Sequence, residues 1–307
     1  MNPDGRRGVL YGMGAYLLWG VFPLYFRLMS ASGPVEIVFH RIVWALVVCL
    51  LVVTATRAWG QLGPVFRAPR RLAALSVAAV VLAVNWGVYV YAVNSGQVVE
   101  ASLGYFINPL VTVLLGVLVL GERLRQAQWV AVGIGALAVA VLTAAYGRLP
   151  WIAVTLALSF GTYGLIKKQV GADVGALASL TTETMVLAPL ATVGLVWLEL
   201  TGRGTFGLNP PWEGLLLVSV GVATVVPLLL FAAGARRVPL STMGLLQYLT
   251  PALQLAAGVL ILGEAMPASR WAGFALVWLA LGVLTADSLL AARARARAAR
   301  QAALLPA

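Results

Sequence analysis

The feature that most constrains this chain is a series of apolar runs, each long enough to cross a lipid bilayer. A span needs ~20 mainly apolar residues. Ten such runs fill the 307-residue sequence, at 8–29, 36–56, 72–94, 98–120, 127–145, 149–166, 175–200, 212–234, 240–262 and 269–291. Only 10% of the residues are charged, against roughly 25% in a soluble domain. The sequence therefore predicts an all-α integral membrane protein with ten transmembrane helices and no soluble module.

Basic residues are distributed unevenly among the connections between these runs. With ten crossings and an inner N-terminus, the inner segments hold sixteen Lys and Arg residues, whereas the outer segments hold three, Arg148, Arg203 and Arg270. Positive charge close to a span stays on the cytoplasmic side, so both termini are predicted to be cytoplasmic. The net charge of +11 thus reflects topology and does not indicate nucleic acid as a partner. The basic tail, 292–307, either lies on the anionic inner leaflet or is simply solvated.

The sequence also repeats itself at one fixed offset, which brings the second half into register with the first. The aligned pairs include Pro109 with Pro251, Gly121-Glu122 with Gly263-Glu264, and Trp129 with Trp271. The chain is therefore predicted to contain one five-helix repeat at 1–147, a second at 148–291, and the tail at 292–307. Because five is odd, the second repeat enters the membrane with the opposite sense. Two inverted-topology repeats of this kind are the architecture of many secondary transporters.

The repeated unit, with Pro, eleven further residues and Gly-Glu in its fourth span, resembles the EamA domain of the drug/metabolite transporter superfamily. Further stretches are similar to the RarD group, the permeases labelled chloramphenicol-sensitive or chloramphenicol-resistance proteins. They are GAYLLWGVFPLYFRL (14–28), EIVFHRIVW (36–44), NWGVYVYAVNSGQVVEASLGYFINPLV (85–111), LGERLRQAQW (120–129) and STMGLLQYLTP (241–251). The resemblance implies an exporter-like carrier with ten spans in a bacterial inner (plasma) membrane. It does not supply a substrate.

Aromatic and polar residues surround the two repeated Pro residues. Pro109 and Pro251 are predicted to kink their helices, because Pro removes a backbone hydrogen bond and frees a carbonyl that polar neighbours must satisfy. Interrupted helices indicate a binding site near the membrane centre. The candidate cavity residues are Trp19, His40, Arg41, Asn85, Trp86, Tyr89, Tyr105, Phe106, Asn108, Tyr163, Gln247, Tyr248 and Thr250. The alternative is that the kinks serve helix packing alone.

Three ionisable residues within the spans are candidates for coupling transport to an ion. Glu36 and His40 lie one turn apart on one helix face, with Arg41 next to them, and could hold an anionic group or pass a proton. An interfacial ion pair would explain them equally well. Glu183, which we match by its position early in the seventh span to Glu36, is the most internal carboxylate. Its alternative role is a structural partner of Lys167, Lys168 or Arg27.

Three classes of function compete. The leading one is a secondary transporter that exports small amphipathic metabolites or drugs by alternating access, with proton coupling or facilitated diffusion both open. A membrane enzyme is disfavoured, since the sequence has one His, one Cys and no phosphate-binding loop; no catalytic residue, metal or cofactor is predicted. A scaffold or sensor subunit remains the alternative. The predicted partners are a small-molecule substrate and the lipid bilayer, and a homodimer is left open.

Overall fold

The computed structural model describes residues 3–170, 174–207 and 211–302, and the regular structure in those ranges is entirely helical. The first half contains α1 (Pro3–Gly20), α2 (Phe22–Arg27), α3 (Pro34–Ala55), α4 (Gly63–Phe66), α5 (Pro69–Asn94), α6 (Val98–Leu120) and α7 (Gln126–Tyr146). The second contains α8 (Trp151–Val170), α9 (Ala176–Leu200), α10 (Pro211–Ala235), α11 (Leu240–Leu246), α12 (Leu249–Ala256) and α13 (Ala268–Ala302). A 3₁₀ turn at Ala58–Gln61 precedes α4, and a π-helical segment at Ala257–Ile261 continues α12.

Nine helical segments within the described ranges are long and apolar enough to cross a membrane. The chain is therefore an all-helical, multi-pass membrane protein. The predicted span at 149–166 corresponds to α8, which is not among the nine. The reason is that Lys167 and Lys168 occupy its last turn and reduce its mean hydropathy. Helix α13 continues past the last predicted span into the basic tail as far as Ala302, and 303–307 lie outside the described residues.

The internal repeat is visible in the helix boundaries and in the turns. Pro34 and Ala176, Val98 and Leu240, and Gln126 and Ala268 begin equivalent helices, and the offset within each pair is the one that relates Pro109 to Pro251. Both Gly-Glu turns have the same geometry. Gly121 has a φ of 66° and Gly263 a φ of 68°, and the amides of Glu122 and Glu264 donate to the carbonyls of Gly116 and Gly258 at 3.1 and 2.9 Å. A left-handed residue followed by this bond is a common helix C-terminus that favours Gly.

Packing between the halves follows a symmetric pattern. The equivalent helices α3 and α9, α6 and α12, and α7 and α13 pack against each other. The other most extensively packed pairs occur as mates: α1 with α10 and α5 with α8, α3 with α10 and α5 with α9, and α1 with α12 and α6 with α8. The smaller contacts of α6 with α7 and with α13 have no mate of similar extent. Exchanging the two halves leaves the set of extensively packed pairs unchanged, which is the pattern produced by a pseudo-two-fold axis between the repeats.

The two repeated Pro residues are not equivalent in the structure. Helix α6 runs through Pro109 without a break, whereas the ninth predicted span is divided at Gln247–Tyr248, directly before Pro251. Pro251 lacks the N–H that would bond the Gln247 carbonyl. The helix is therefore divided at the residue whose carbonyl has lost its hydrogen-bond donor. The kink at Pro109 stays a prediction.

Candidate substrate site

Arg41 of α3 lies buried among aromatic rings from α2 and α5. Its guanidinium carbon is 4.1 Å from the ring centroid of Trp86, 5.5 Å from that of Phe26 and 5.7 Å from that of Phe22. Its Nε donates a 3.0 Å hydrogen bond to Thr224 Oγ1 on α10. A cation over aromatic faces recovers part of the hydration lost on burial. Because α10 belongs to the second half, both repeats contribute to this Arg41 cluster, which consists of Arg41, Trp86, Phe22, Phe26 and Thr224.

The guanidinium has no protein counter-ion in the described part of the chain. Arg41 is 5% exposed, and the five ion pairs there involve other residues. Its one hydrogen bond to a described residue uses Nε, and its two terminal nitrogens are not among the fully enclosed polar atoms. The rings of Tyr25 and Tyr89 lie 5.5 and 6.0 Å from that of Phe26, which itself lies beside the guanidinium. Buried charges are ordinarily paired, so the cluster presents a desolvated cation that remains able to bind an anion.

A short polar chain adjoins this cluster. Asn85 of α5 donates from Nδ2 to Ser159 Oγ at 2.9 Å and to the Leu156 carbonyl at 3.2 Å, which fixes its amide against α8. Tyr105 of α6 donates to Asn85 Oδ1 at 3.3 Å. The rings of Tyr89 and Tyr105 lie 5.7 Å apart, and the buried Tyr89 hydroxyl lies near the Gln254 side chain without a hydrogen bond of normal geometry within the described ranges. The rings of Tyr89 and Tyr105 form an aromatic wall beside Arg41.

Glu183 of α9 lies in a separate polar cluster. It is 1% exposed, and its carboxylate accepts bonds from Lys167 Nζ at 2.7 Å, Ser179 Oγ at 2.9 Å and Tyr163 Oη at 3.1 Å. Three donors satisfy the charge, so the geometry is that of the structural alternative, with Lys167 as partner. The match of Glu183 to Glu36 is wrong, because the equivalent helices α3 and α9 begin at Pro34 and Ala176. Counting the same number of positions from the start of each helix shows that Glu183 of α9 is the repeat equivalent of Arg41 of α3.

Glu36 and His40 do not join Arg41. The buried Glu36 carboxylate accepts bonds from the amides of Thr205 and Phe206 at 2.7 and 3.2 Å, so it holds the loop between α9 and α10. His40 Nδ1 accepts a 3.2 Å bond from Trp44 Nε1, and its ring lies 4.9 Å from that of Phe206. Adjacent helical residues point ~100° apart, which separates His40 from Arg41. Their roles in coupling stay predictions.

The remaining predicted cavity residues have varied surroundings. Phe106 packs against Phe274 and Trp278 of α13 rather than against the rings around Arg41. Asn108 Oδ1 is buried without a hydrogen-bond partner among the described residues. Elsewhere, Trp19 packs edge-to-face on Tyr16, and Thr250 donates to the Tyr16 carbonyl. Tyr163 donates to Glu183, and Gln247 and Tyr248 occupy the helix break. Tyr248 also packs against the apolar cluster that contains Phe106 and Phe274.

Several residues of the site were missed in the sequence. Phe22, Phe26 and Thr224 complete the surroundings of Arg41, and Gln254 of α12 donates to the Trp19 carbonyl at 3.1 Å. Gln254 is 2% exposed, and its Oε1 has no partner in the described part of the chain. A lone amide within an apolar span is a signal that would have found it. The two Phe residues carry no such signal, because most aromatics in apolar spans only pack.

Comparison with known proteins defines the class to which this fold and this site belong. The EamA-like transporter family model matches the chain twice, at residues 6–144 and 150–286. The chain therefore belongs to the EamA-like transporter family, and it is a transporter-family protein rather than an enzyme. A solved structure with a TM-score of 0.60 shares the fold at 20% identity, covering 90% of this chain and 96% of its own.

Within that family the similarity is to the RarD group. Protein RarD of Streptomyces exfoliatus is 53% identical over 98% of this chain and 94% of its own length. Protein RarD of Escherichia coli K12 is 38% identical over 94% of this chain and 97% of its own. The chloramphenicol-sensitive protein RarD of Pseudomonas aeruginosa is 33% identical, with coverages of 95% and 97%.

Proposed function

We propose that the protein is a secondary transporter that exports small amphipathic molecules by alternating access between two inverted-topology repeats. The observation that carries this proposal is the set of helix pairs that is unchanged when the halves are exchanged. Two repeats related by a two-fold axis can exchange conformations, which gives two arrangements of nearly equal energy, one open to each side of the membrane. In this proposal the repeats are 1–147 and 148–291, and α8 makes the tenth crossing.

The same proposal fixes the orientation. Ten crossings place both termini on one side, and the sixteen basic residues of the inner segments favour the cytoplasmic side of a bacterial inner membrane. The basic tail, 292–307, would then lie near the anionic inner leaflet. Impermeant labelling of single cysteines placed next to Glu122 and next to Glu264 should give opposite sidedness. Labelling of both from the same side would contradict the inverted topology.

The Arg41 cluster supports a small amphipathic substrate, because it combines a cation with an aromatic wall and includes residues from both halves. One relative is named a chloramphenicol-sensitive protein, so chloramphenicol is the first compound to test.

Flux into proteoliposomes tests the function directly. We expect a subset of a broad panel of amphipathic compounds to enter faster than into protein-free liposomes. A Glu199→Gln variant is a matched control, because Glu199 is exposed at the end of α9 and should transport normally. Absence of flux for every compound, with a monodisperse and thermally stable preparation, would refute transport and favour the scaffold alternative.

A further inference from the structure

We infer that the substrate is an organic anion, specifically a monocarboxylate with an aromatic or apolar body, and that Arg41 binds its carboxylate. This inference rests on the proposed transport function and names the substrate class of the same site. Its basis is a 5%-exposed Arg whose terminal nitrogens have no hydrogen-bond partner in the described ranges but are not enclosed. A desolvated guanidinium binds a carboxylate through strong, charge-assisted hydrogen bonds.

Charge balance in the interior supports an anion. Glu183 occupies the position equivalent to Arg41 in the other repeat, yet the Lys167 ammonium neutralises it at 2.7 Å. Glu36 is turned away to the amides of Thr205 and Phe206. The two repeat-related buried charges therefore do not cancel each other, and no group in the described part of the chain compensates the positive charge of Arg41.

The geometry favours a carboxylate over a phosphate dianion. Nε is used by Thr224, and Trp86 covers one face of the guanidinium at 4.1 Å. An anion must then approach the terminal nitrogens in the guanidinium plane, where a planar carboxylate accepts two parallel bonds. The printed contacts of the Arg41 guanidinium in the described ranges are to Thr224 and to aromatic rings, and none is to a second cation that would balance a second negative charge. The rings of Tyr89 and Tyr105 provide contacts for the apolar body.

Matched acid and amide pairs test this inference. We would measure the thermal stability and the flux of wild-type protein with indole-3-acetate, 3-phenylpropionate and benzoate, each against its primary amide. The wild type is expected to prefer acids to amides. In Arg41→Gln the acids should bind about 10- to 100-fold more weakly, the loss expected for a charge-assisted hydrogen bond, while amide binding should weaken far less.

Two controls keep the outcome clear. Arg203→Gln removes an exposed cation that stacks on Trp197 and should leave the acid preference intact, and Arg41→Lys retains the charge if Arg41→Gln fails to fold. Equal wild-type responses to acids and amides would overturn the inference, as would an acid preference that survives in Arg41→Gln. Transport of the neutral compounds alone would refute only the anion, whereas no flux at all would refute the transporter itself.

A second inference rests on a different observation, the Glu264 cap. The Glu264 carboxylate accepts hydrogen bonds from the amides of Val98 and Val99 at 2.6 and 2.8 Å. These two amides lie at the N-terminus of α6, where N–H groups have no acceptor within the helix and negative charge is favourable. Glu264 belongs to the second repeat and α6 to the first, so the cap joins the two halves. Helix α6 also packs on the π-helical segment at this end.

At the other end, the contacts of the described residues show Glu122 with a different partner. The repeat matches Glu264 with Glu122, and Val98–Val99 with Leu240–Ser241 at the start of α11. Glu122 instead pairs with Lys168 at 2.9 Å, and its side chain is 51% exposed. Residues 242–246, the part of α11 that the structure describes in full, form no hydrogen bond to Glu122. The described contacts thus join the halves through Glu264, whereas the Glu122 carboxylate is engaged by Lys168.

We infer that the two caps form in alternation: Glu264 on α6 when the Glu264 end is closed, and Glu122 on α11 when the Glu122 end is closed. Because each cap satisfies two helix-terminal amides, release of one is offset by formation of the other. The exchange would keep the two access states close in energy.

Cysteine accessibility tests the exchange without any substrate. In a Cys49→Ser background, Val99→Cys places a thiol where Val99 is 1% exposed and would lie near Gly258. Glu264→Gln should raise its maleimide labelling rate about five-fold, the effect of weakening one hydrogen bond. Glu122→Gln should leave it unchanged or lower it, and Glu199→Gln is the control. An unchanged rate in Glu264→Gln, or a rise in both variants, would overturn the exchange.

Discussion

Replacing Lys167 by Met should destabilise the protein more than any other single change to the Glu183 cluster. It leaves a carboxylate that is 1% exposed with only Ser179 and Tyr163 as neutral donors. Breaking a buried ion pair by removing one partner costs about 3–5 kcal/mol. The Lys167 side chain is 29% exposed, so its own desolvation is partial and we expect the lower end, about 3 kcal/mol. Glu183→Gln keeps the shape and should cost about 1–2 kcal/mol.

The double variant measures the interaction free energy of the Lys167–Glu183 pair apart from the other contributions of each residue. Because Lys167→Met with Glu183→Gln leaves no buried charge, its cost should be smaller than the sum of the single costs by about 1–2 kcal/mol. Reversible unfolding in mixed detergent and SDS micelles measures these differences. Lys168→Met is the matched control, since its pair with Glu122 is 65% and 51% exposed and should contribute less than about 1 kcal/mol.

Two results would refute this reasoning. One is a Lys167→Met cost no larger than that of Lys168→Met, and the other is strict additivity in the double variant. The same proteins also address ion coupling. If Glu183 only stabilises the fold, the double variant retains the pH dependence of flux, and if it couples, that dependence is lost while the protein stays folded.

Three further predictions concern packing and surface contacts. Gly221→Ala should destabilise by about 1–3 kcal/mol, because its Cβ would lie 2.4 Å from backbone atoms of α3; Gly87→Ala, where nothing lies within 4 Å, should be neutral or stabilising by unfolding measurements. Glu36→Ala removes the acceptor for the Thr205 amide, so hydrogen exchange in the loop before α10 should accelerate. Asp287→Asn breaks an ion pair with Arg125, whose side chain is 46% exposed, and should change stability by less than about 1 kcal/mol.

Much of the architecture follows from local properties of the sequence. Apolar length fixed the spans, since backbone groups in lipid must be satisfied within helices. The offset that aligns Pro109 with Pro251 also aligns the helix starts and the two Gly-Glu turns. Helix α8 shows where hydropathy alone fails to identify a span. Two Lys residues in its last turn exclude it from the helices apolar enough to cross a membrane, although it packs with α5 and α6.

The site depended on contacts that no local pattern encodes. Sequence spacing grouped Glu36, His40 and Arg41. In the structure, Glu36 accepts a hydrogen bond from the loop before α10, His40 bonds Trp44, and Arg41 packs on Trp86. The sequence by itself determined the membrane class, the duplication and which polar residues lie within spans, because these depend on composition and period. Only the tertiary structure decided that Glu183 has a counter-ion whereas Arg41 has none among the described residues, because pairing depends on which helices pack together.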